Sequence, residues 1–211
     1  FKQKTAYEML RSLVGSEMCI RDRMADEGFV SDLAEWVRGG GTLILGWRCG
    51  TRDMNNHAIR KPLPGLFTEL AGIHIREFEA LGEEKVNIRI GLIPAKGLVW
   101  ADIIEPKSAK AIAHYTDGKK YYKGSACVTV NSFGKGFVYY LGTSMNELGI
   151  FFLYRRIFKK AGLNPKWHGM GIEVVRRIDA EGKEIRIVLN HTAKAKRVLG
   201  SNIPAYGMAV I

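Results

Sequence analysis

Apolar residues recur at three- and four-residue steps over Phe29, Val30, Leu33, Trp36 and Val37, which predicts a helix with one buried face. Gly39-Gly40-Gly41 stops that helix, because glycine readily takes the left-handed conformation after a last turn. Thr42 to Leu45 follows as a short apolar strand of the kind buried in a parallel sheet. Helix, glycine stop and buried strand form a βα-type unit, so helices flanking a central sheet are expected. Leu66, Phe67, Leu70 and Ala71 predict a short helix closed by Gly72, and Ile73 to Phe78 alternates as a strand. From Val86 to Leu141 the pattern turns to strands, punctuated by Thr116-Asp117-Gly118 and Gly134-Lys135-Gly136.

A last long helix is predicted after Asn146, its cap. Leu148, Phe151, Phe152, Tyr154, Ile157 and Phe158 are read as inward, and Gly162 as its end. Asn164-Pro165 begins a linker, and the texture then changes. Ile172 to Ile178 and Glu184 to Leu189 alternate around a turn at Asp179 to Gly182, and Lys196 to Leu199 and Met208 to Ile211 add short strands. Residues 165–211 therefore read as a small antiparallel β-domain.

Residues 1–23 resemble a translated sequencing-library adapter, which places the natural start near Met24, inside a folded unit of a longer protein. The alternative is a native amphipathic helix, since Ala6, Met9, Leu10, Leu13 and Val14 sit at helical spacing. The chain has 211 residues, 46% hydrophobic and 25% charged, a balance typical of a globular protein. Its formal charge is +11; the leader holds five Lys/Arg and three Asp/Glu, which leaves +9 for the remainder. The cations are scattered singly or in pairs rather than gathered with aromatics, so nucleic-acid binding is not expected. No apolar run reaches membrane-span length, and no membrane association is expected. Outside the leader only Cys49 and Cys127 remain, without CxxC spacing or regular His partners; neither metal nor cofactor is expected, and isolated thiols suit a reducing cytoplasm.

Three groups invite a chemical reading. Cys49 follows a buried strand, where an amidotransferase-like enzyme places its nucleophile. The elbow wants Gly-x-Cys-x-Gly, however, and the chain has Gly46-Trp47-Arg48-Cys49-Gly50. A base would have to come from His57, His74, His114, His168 or His191, none in a His-x-Glu pattern. Asn146-Glu147 resembles the acid-bearing pair of some retaining glycosidases, yet it opens a helix, where Asn caps and Glu complements the dipole. Arg48, Arg52, Asp53, Asn55 and Asn56 crowd the long polar loop Trp47 to Pro64, where an Arg–Asp pair could rigidify the loop or meet another subunit.

The order of the pieces resembles the middle and C-terminal domains of glycoside hydrolase family 42 β-galactosidases. LAEWVRGGGTLILGWRCGTRDMNN is similar to the family's helix, glycine stop, strand and Arg-x-Gly-x-x-Asp-x-Asn loop. Pro64-Gly65, Leu70 to Ile73 and Glu77-Phe78 follow in order. Trp100-Ala101-Asp102, Gly124-x-Ala126, Phe133-Gly134-Lys135-Gly136 and Tyr140-x-Gly142-Thr143 look like further landmarks, and Gly171 to Val174, Asn190-His191 and Pro204-x-Tyr206 resemble the closing β-domain. The resemblance covers about residues 29–211. It implies a flavodoxin-like, class I glutamine amidotransferase-like α/β domain over residues 24–164 that mediates homotrimer assembly without amidotransferase activity, then the small β-domain. It also implies that two glutamates on an N-terminal (β/α)₈ barrel, absent from this sequence, bind and cleave terminal β-galactosides with retention. No residue here matches either catalytic motif, so no catalytic position is assigned, and Arg48, Arg52, Asp53, Asn55 and Asn56 are the candidate assembly loop. The alternatives are an amidotransferase-like enzyme using Cys49 and a non-enzymatic binding module.

Overall fold

The computed structural model describes residues 18–20, 24–164, 166, 168–178 and 181–211. It contains two compact units, one ending at Leu163 and the other running from Asn164 to Ile211.

In the first unit, helix α1 (Glu27–Arg38) begins where the Asp26 carboxylate accepts the Phe29 N–H at 2.7 Å. Glu27 in its first turn and Arg38 in its last both complement the helix dipole. Val30, Leu33 and Val37 form its buried stripe. Strand β2 (Thr42–Gly46) is buried along its whole length. On one face Leu43 and Leu45 join Val138 and Tyr140 beneath α1; on the other Ile44 meets Tyr139 in a second core. Both faces are covered, so the strand reads as an unbroken apolar run.

A 3₁₀ turn (Gly65–Phe67) and the one-turn helix α2 (Thr68–Ala71) lead into two long strands, β3 (Ile73–Ile90) and β4 (Ile93–Pro106). β5 (Lys110–Tyr115), β6 (Ala126–Phe133), β7 (Gly136–Leu141) and β8 (Thr143–Met145) complete the sheet with β1 (Met18–Ile20). The strand order is β1-β2-β7-β6-β5-β3-β4-β8, and an added contact between Ile104 of β4 and Ala126 of β6 closes β3, β4, β6 and β5 into an antiparallel barrel.

The expected α/β flavodoxin-like architecture is overturned. Strand makes up 47% of the structure and helix 18%, with three α-helices among the described residues. Among the strands of this sheet β1–β2 and β2–β7 pair in parallel and the other pairings are antiparallel. The reason is connectivity. Tight turns such as Gly134-Lys135 join β6 to β7 as a hairpin, whereas a parallel neighbour needs a crossover long enough to hold a helix.

Of the predicted leader, Met18–Ile20 pair with Leu43–Leu45, and the other residues of 1–23 lie outside the described set. Helix α3 (Glu147–Lys160) starts where Asn146 Oδ1 faces the Gly149 N–H, as predicted. Its buried ridge is Gly149, Leu153 and Ile157, steps of four along one face. Leu148, expected inward, is 48% exposed because it precedes that ridge by one position, about 100° around the helix.

The second unit pairs β9 (Ile172–Ile178), β10 (Glu184–Asn190) and β13 (Met208–Val210) antiparallel, beside a β11–β12 hairpin (Lys196–Val198 and Ser201–Ile203). Its core is small: Val188, Val198 and Ile203, flanked by Ile172, Val174 and Ala209. Buried Asn190 compensates by tying loops together. Its amide donates to the carbonyls of Lys194 and Pro204, both at 2.8 Å, while its Oδ1 accepts the Thr192 N–H at 3.0 Å and hydroxyl at 2.7 Å. Asn190→Ala strands these carbonyls and donors and is expected to cost about 2–3 kcal/mol. Chemical denaturation monitored on β-sheet circular dichroism measures this, and a loss below about 0.5 kcal/mol would contradict it.

Candidate functional site

The loop after β2 resolves into a small hairpin and a separate anchor. Arg52 forms an isolated antiparallel bridge with Ala58, and the Ile59 N–H donates to the Thr51 carbonyl at 3.2 Å. Asp53 organises the tip: its Oδ1 accepts the N–H groups of Asn55 at 2.9 Å and His57 at 2.8 Å. This is the local side-chain-to-backbone bonding that makes Asp a turn residue. Arg52 donates through Nη1 to the Asn56 carbonyl at 2.8 Å. The Arg–Asp pairing considered from sequence is replaced by these backbone contacts. Arg52, Asp53, Asn55 and Asn56 thus share one exposed hairpin.

Arg48 points elsewhere. Its guanidinium carbon lies 4.5 Å from the centre of a Trp100 ring, a cation–π contact. Trp100 also stacks on Trp47 at 5.9 Å and on Phe78 at 4.9 Å between ring centroids. Beneath this cluster lies Asp102, 2% exposed. One carboxylate oxygen accepts the Trp100 indole N–H at 2.7 Å and the other the Tyr140 hydroxyl at 2.8 Å; the Arg48 backbone N–H donates to it as well. The Asp102 carbonyl accepts the Tyr115 hydroxyl at 3.1 Å. Burial pushes the Asp102 carboxyl up to about 6 against the pull of those donors. Burial pushes the hydroxyls of Tyr115 and Tyr140 up too.

An acid poised near 6 invites comparison with a general acid. Catalysis, however, needs reach to a substrate proton, and here both oxygens are occupied by structural donors inside the core. Asp102 is a buried joint linking β4, β7 and the Arg48 turn. In the sequence Asp102 stands out only as part of the Trp100-Ala101-Asp102 landmark. One signal could have found it: a lone acid within the apolar run Leu98 to Ile104, two residues from Trp100 and so on the same strand face.

The remaining candidates separate. Cys49 is 0% exposed, so its thiol does not face solvent, and burial likewise pushes the Cys127 thiol up. His57 sits on the exposed hairpin beside Asp53 at 3.6 Å, and His191 pairs with Glu173 at 3.1 Å in the second unit. His74 and His114 lie on β3 and β5. Glu147 occupies the first turn of α3. Among the described residues no group of three or more His, Cys, Asp or Glu could hold a metal ion.

One carboxylate grouping was not foreseen. Lys120 bridges Glu79 at 2.6 Å and Glu84 at 3.0 Å, and the Tyr121 and Tyr122 hydroxyls donate to Glu77 and Glu79. Partial burial raises the Glu79 carboxyl, but the Lys120 and Tyr122 hydrogen bonds win, and its pKa ends below the usual value. A general acid of a retaining glycosidase needs the opposite shift. This is a structural ion pair. No helix of the described residues is long and apolar enough to cross a membrane.

Comparison with known proteins accords with this arrangement. A family model described as the β-galactosidase trimerisation domain matches residues 23–164. β-Galactosidase BgaA of Clostridium cellulovorans is 38% identical over 129 residues, covering 59% of this chain and 19% of that protein. β-Galactosidase LacZ of Heyndrickxia coagulans is 32% identical over 172 residues, covering 81% of this chain and 25% of the relative. The chain therefore spans a quarter or less of these relatives' length. Among solved structures, the β-galactosidases of Bacillus circulans sp. alkalophilus and Rahnella sp. R3 superpose with TM-scores of 0.79 and 0.80 at 24% and 22% identity. Each covers 92% of this chain, which covers 32% and 31% of them, a likeness of fold. The resemblance read from Trp100-Ala101-Asp102 and its companion motifs is borne out, and the chain belongs to the trimerisation-domain family of glycoside hydrolase family 42 β-galactosidases.

Proposed function

We propose that this chain supplies the assembly and C-terminal portion of a β-galactosidase and holds its copies together as a homotrimer. Hydrolysis of terminal non-reducing β-D-galactose residues then belongs to a (β/α)₈ barrel outside this sequence, and no such barrel occurs among the described residues. The observation that carries this reading is the match of residues 23–164 to a trimerisation domain. The buried Asp102 and the lysine-bridged Glu79 and Glu84 support it, since each is committed to structural contacts. The exposed hairpin bearing Arg52, Asp53, Asn55 and Asn56, with Arg48 at its base, meets neighbouring protomers and helps wall the barrel's active site. The buried cysteines Cys49 and Cys127, neither in a disulfide, fit a cytoplasmic setting.

Incubating the purified chain with a chromogenic β-galactoside is expected to release nothing above buffer, while light scattering gives three times the chain mass. Measurable turnover or a monomer overturns the corresponding half of this proposal.

A further inference from the structure

We infer that the basic cleft between the last turns of α3 and the strands β5, β6 and β7 binds a small organic phosphate, a phosphate ester or anhydride with a carbon body. The inference is independent of the assembly reading above.

The cleft has a volume of about 670 Å³, within the size range of small-molecule sites. Four cations line it, Lys110 from β5 and Arg156, Lys159 and Lys160 from α3, with no carboxylate in its wall. Among the described residues none of the four is paired with an acid. The helix dipole accounts for Lys159 and Lys160, which stand in the last turn of α3. It does not account for Lys110 on a separate strand, nor for Arg156. That arginine precedes Lys159 and Lys160 by three and four residues, the spacings at which like charges on a helix repel. Lys160 is also held at the wall: its Nζ lies 4.5 Å from the centre of the Phe137 ring, a second lining residue.

Charge and lining identify the ligand class. A carboxylate offsets one of four charges, whereas a phosphate monoester brings about −1.5 to −2 on one compact group with three acceptor oxygens. Ser108 and Ser132 line the same cleft and can donate hydroxyl hydrogens to those oxygens. The strands supply half-buried apolar residues, Ile112, Val130 and Phe137, at the edge of the core. They keep water from one side of the cations, which strengthens the pull on an anion. They also offer surface to a carbon body, which inorganic phosphate cannot use. The cations gather in a single concavity, whereas a nucleic-acid strand follows an extended basic groove.

Isothermal titration calorimetry on the full 211-residue chain tests this with ATP and fructose 1,6-bisphosphate, a nucleotide and a sugar source of the same chemistry. Inorganic tripolyphosphate is the probe for charge alone. At least one organic phosphate is expected to bind with Kd below about 1 mM, and the one that does names the source. It is expected to bind at least about threefold more tightly than tripolyphosphate, the return from covering roughly one apolar carbon. Lys110→Gln and Lys159→Gln, on two elements and both exposed, should each weaken it about three- to tenfold with unchanged circular dichroism. Lys85→Gln removes the same charge from an exposed position outside the cleft and should change it less than about twofold. Failure of both organic phosphates to bind overturns the site. Tripolyphosphate binding as tightly as either, or Lys85→Gln costing as much as the cleft variants, overturns it too, because net charge alone would then be at work.

Discussion

Asp102→Ala is expected to destabilise the first unit by about 3 kcal/mol at neutral pH, and by more below pH 5. The substitution strands the Trp100 indole N–H, the Tyr140 hydroxyl and the Arg48 backbone N–H, all aimed at a carboxylate that is no longer there. Each buried unsatisfied donor costs about 1–3 kcal/mol. Part is recovered at neutral pH, because the native carboxylate is held ionised in a poorly solvated place. Its pKa of about 6 lies roughly 2 units above the unfolded value, on the order of 3 kcal/mol. The sign follows from linkage. The folded state binds this proton more tightly than the unfolded chain, so the group's contribution is fully present below about pH 4 and is lost as pH rises through about 6. Asp102→Asn, isosteric and unable to ionise, should remove this slope while keeping one acceptor. Glu79 and Asp117 are shifted downward and contribute the opposite slope, so the quantity to read is the difference between wild type and Asp102→Asn in urea unfolding from pH 4.5 to 8. A pH-independent difference would show that Asp102 does not titrate in this range.

The second large effect is expected at the base of the candidate loop, where Gly50 and Gly65 pack backbone to backbone. A Cβ on Gly50 would fall 2.3 Å from the Pro64 carbonyl oxygen, and one on Gly65 would fall 2.4 Å from the Gly50 carbonyl oxygen. Both have positive φ, +62° and +65°. An alanine at either position forces the loop away from the turn that starts α2 and adds left-handed strain, together about 2–4 kcal/mol. The clashes share one contact, so Gly50→Ala and Gly65→Ala combined should cost clearly less than their sum. Gly82→Ala is the control: φ is +57° but the space around it is open, and about 1 kcal/mol is expected. Chemical denaturation of the four proteins decides this. Strict additivity, or a control as costly as Gly50→Ala, would show that close approach is not the cause.

Local elements were legible because local periodicity made them. Val30, Leu33 and Val37 mark the buried face of α1, Asn146 caps α3, and Ile172 to Ile178 forms a strand with the predicted bounds. The layer arrangement was not legible. A helix, a glycine stop and an apolar strand look alike whether the next strand pairs parallel or antiparallel, and that choice is made by partners far along the chain. β3 shows a second limit. Alternation in burial holds only from Ile73 to Ile75, and the irregular steps between Ile75 and Glu77 and around Gly82 hide the continuation of β3 to Ile90. At the site, the hairpin of Arg52 to Asn56 could be read as a polar loop, since its bonds are local. The Trp100 cluster could not, because Trp47, Phe78, Trp100, Asp102 and Tyr140 come from four strands or strand ends. Nor could the left-handed backbone of Val99, φ 67°, which coincides with breaks in register against two neighbours.

The parallel pairing of β2 with β7 has a consequence during synthesis. Thr42 lies opposite Phe137, about 95 residues later in the chain. At roughly 5–20 residues per second, Leu43, Ile44 and Leu45 leave the ribosome about 5–20 s before the segment that will shield them. Until then three adjacent aliphatic side chains, with the hydrogen-bonding edge that β7 will take still open, are a target for chaperones and for other nascent chains. Yield in a cell should therefore depend on translation speed between residues 46 and 136 more than on the final stability of the fold.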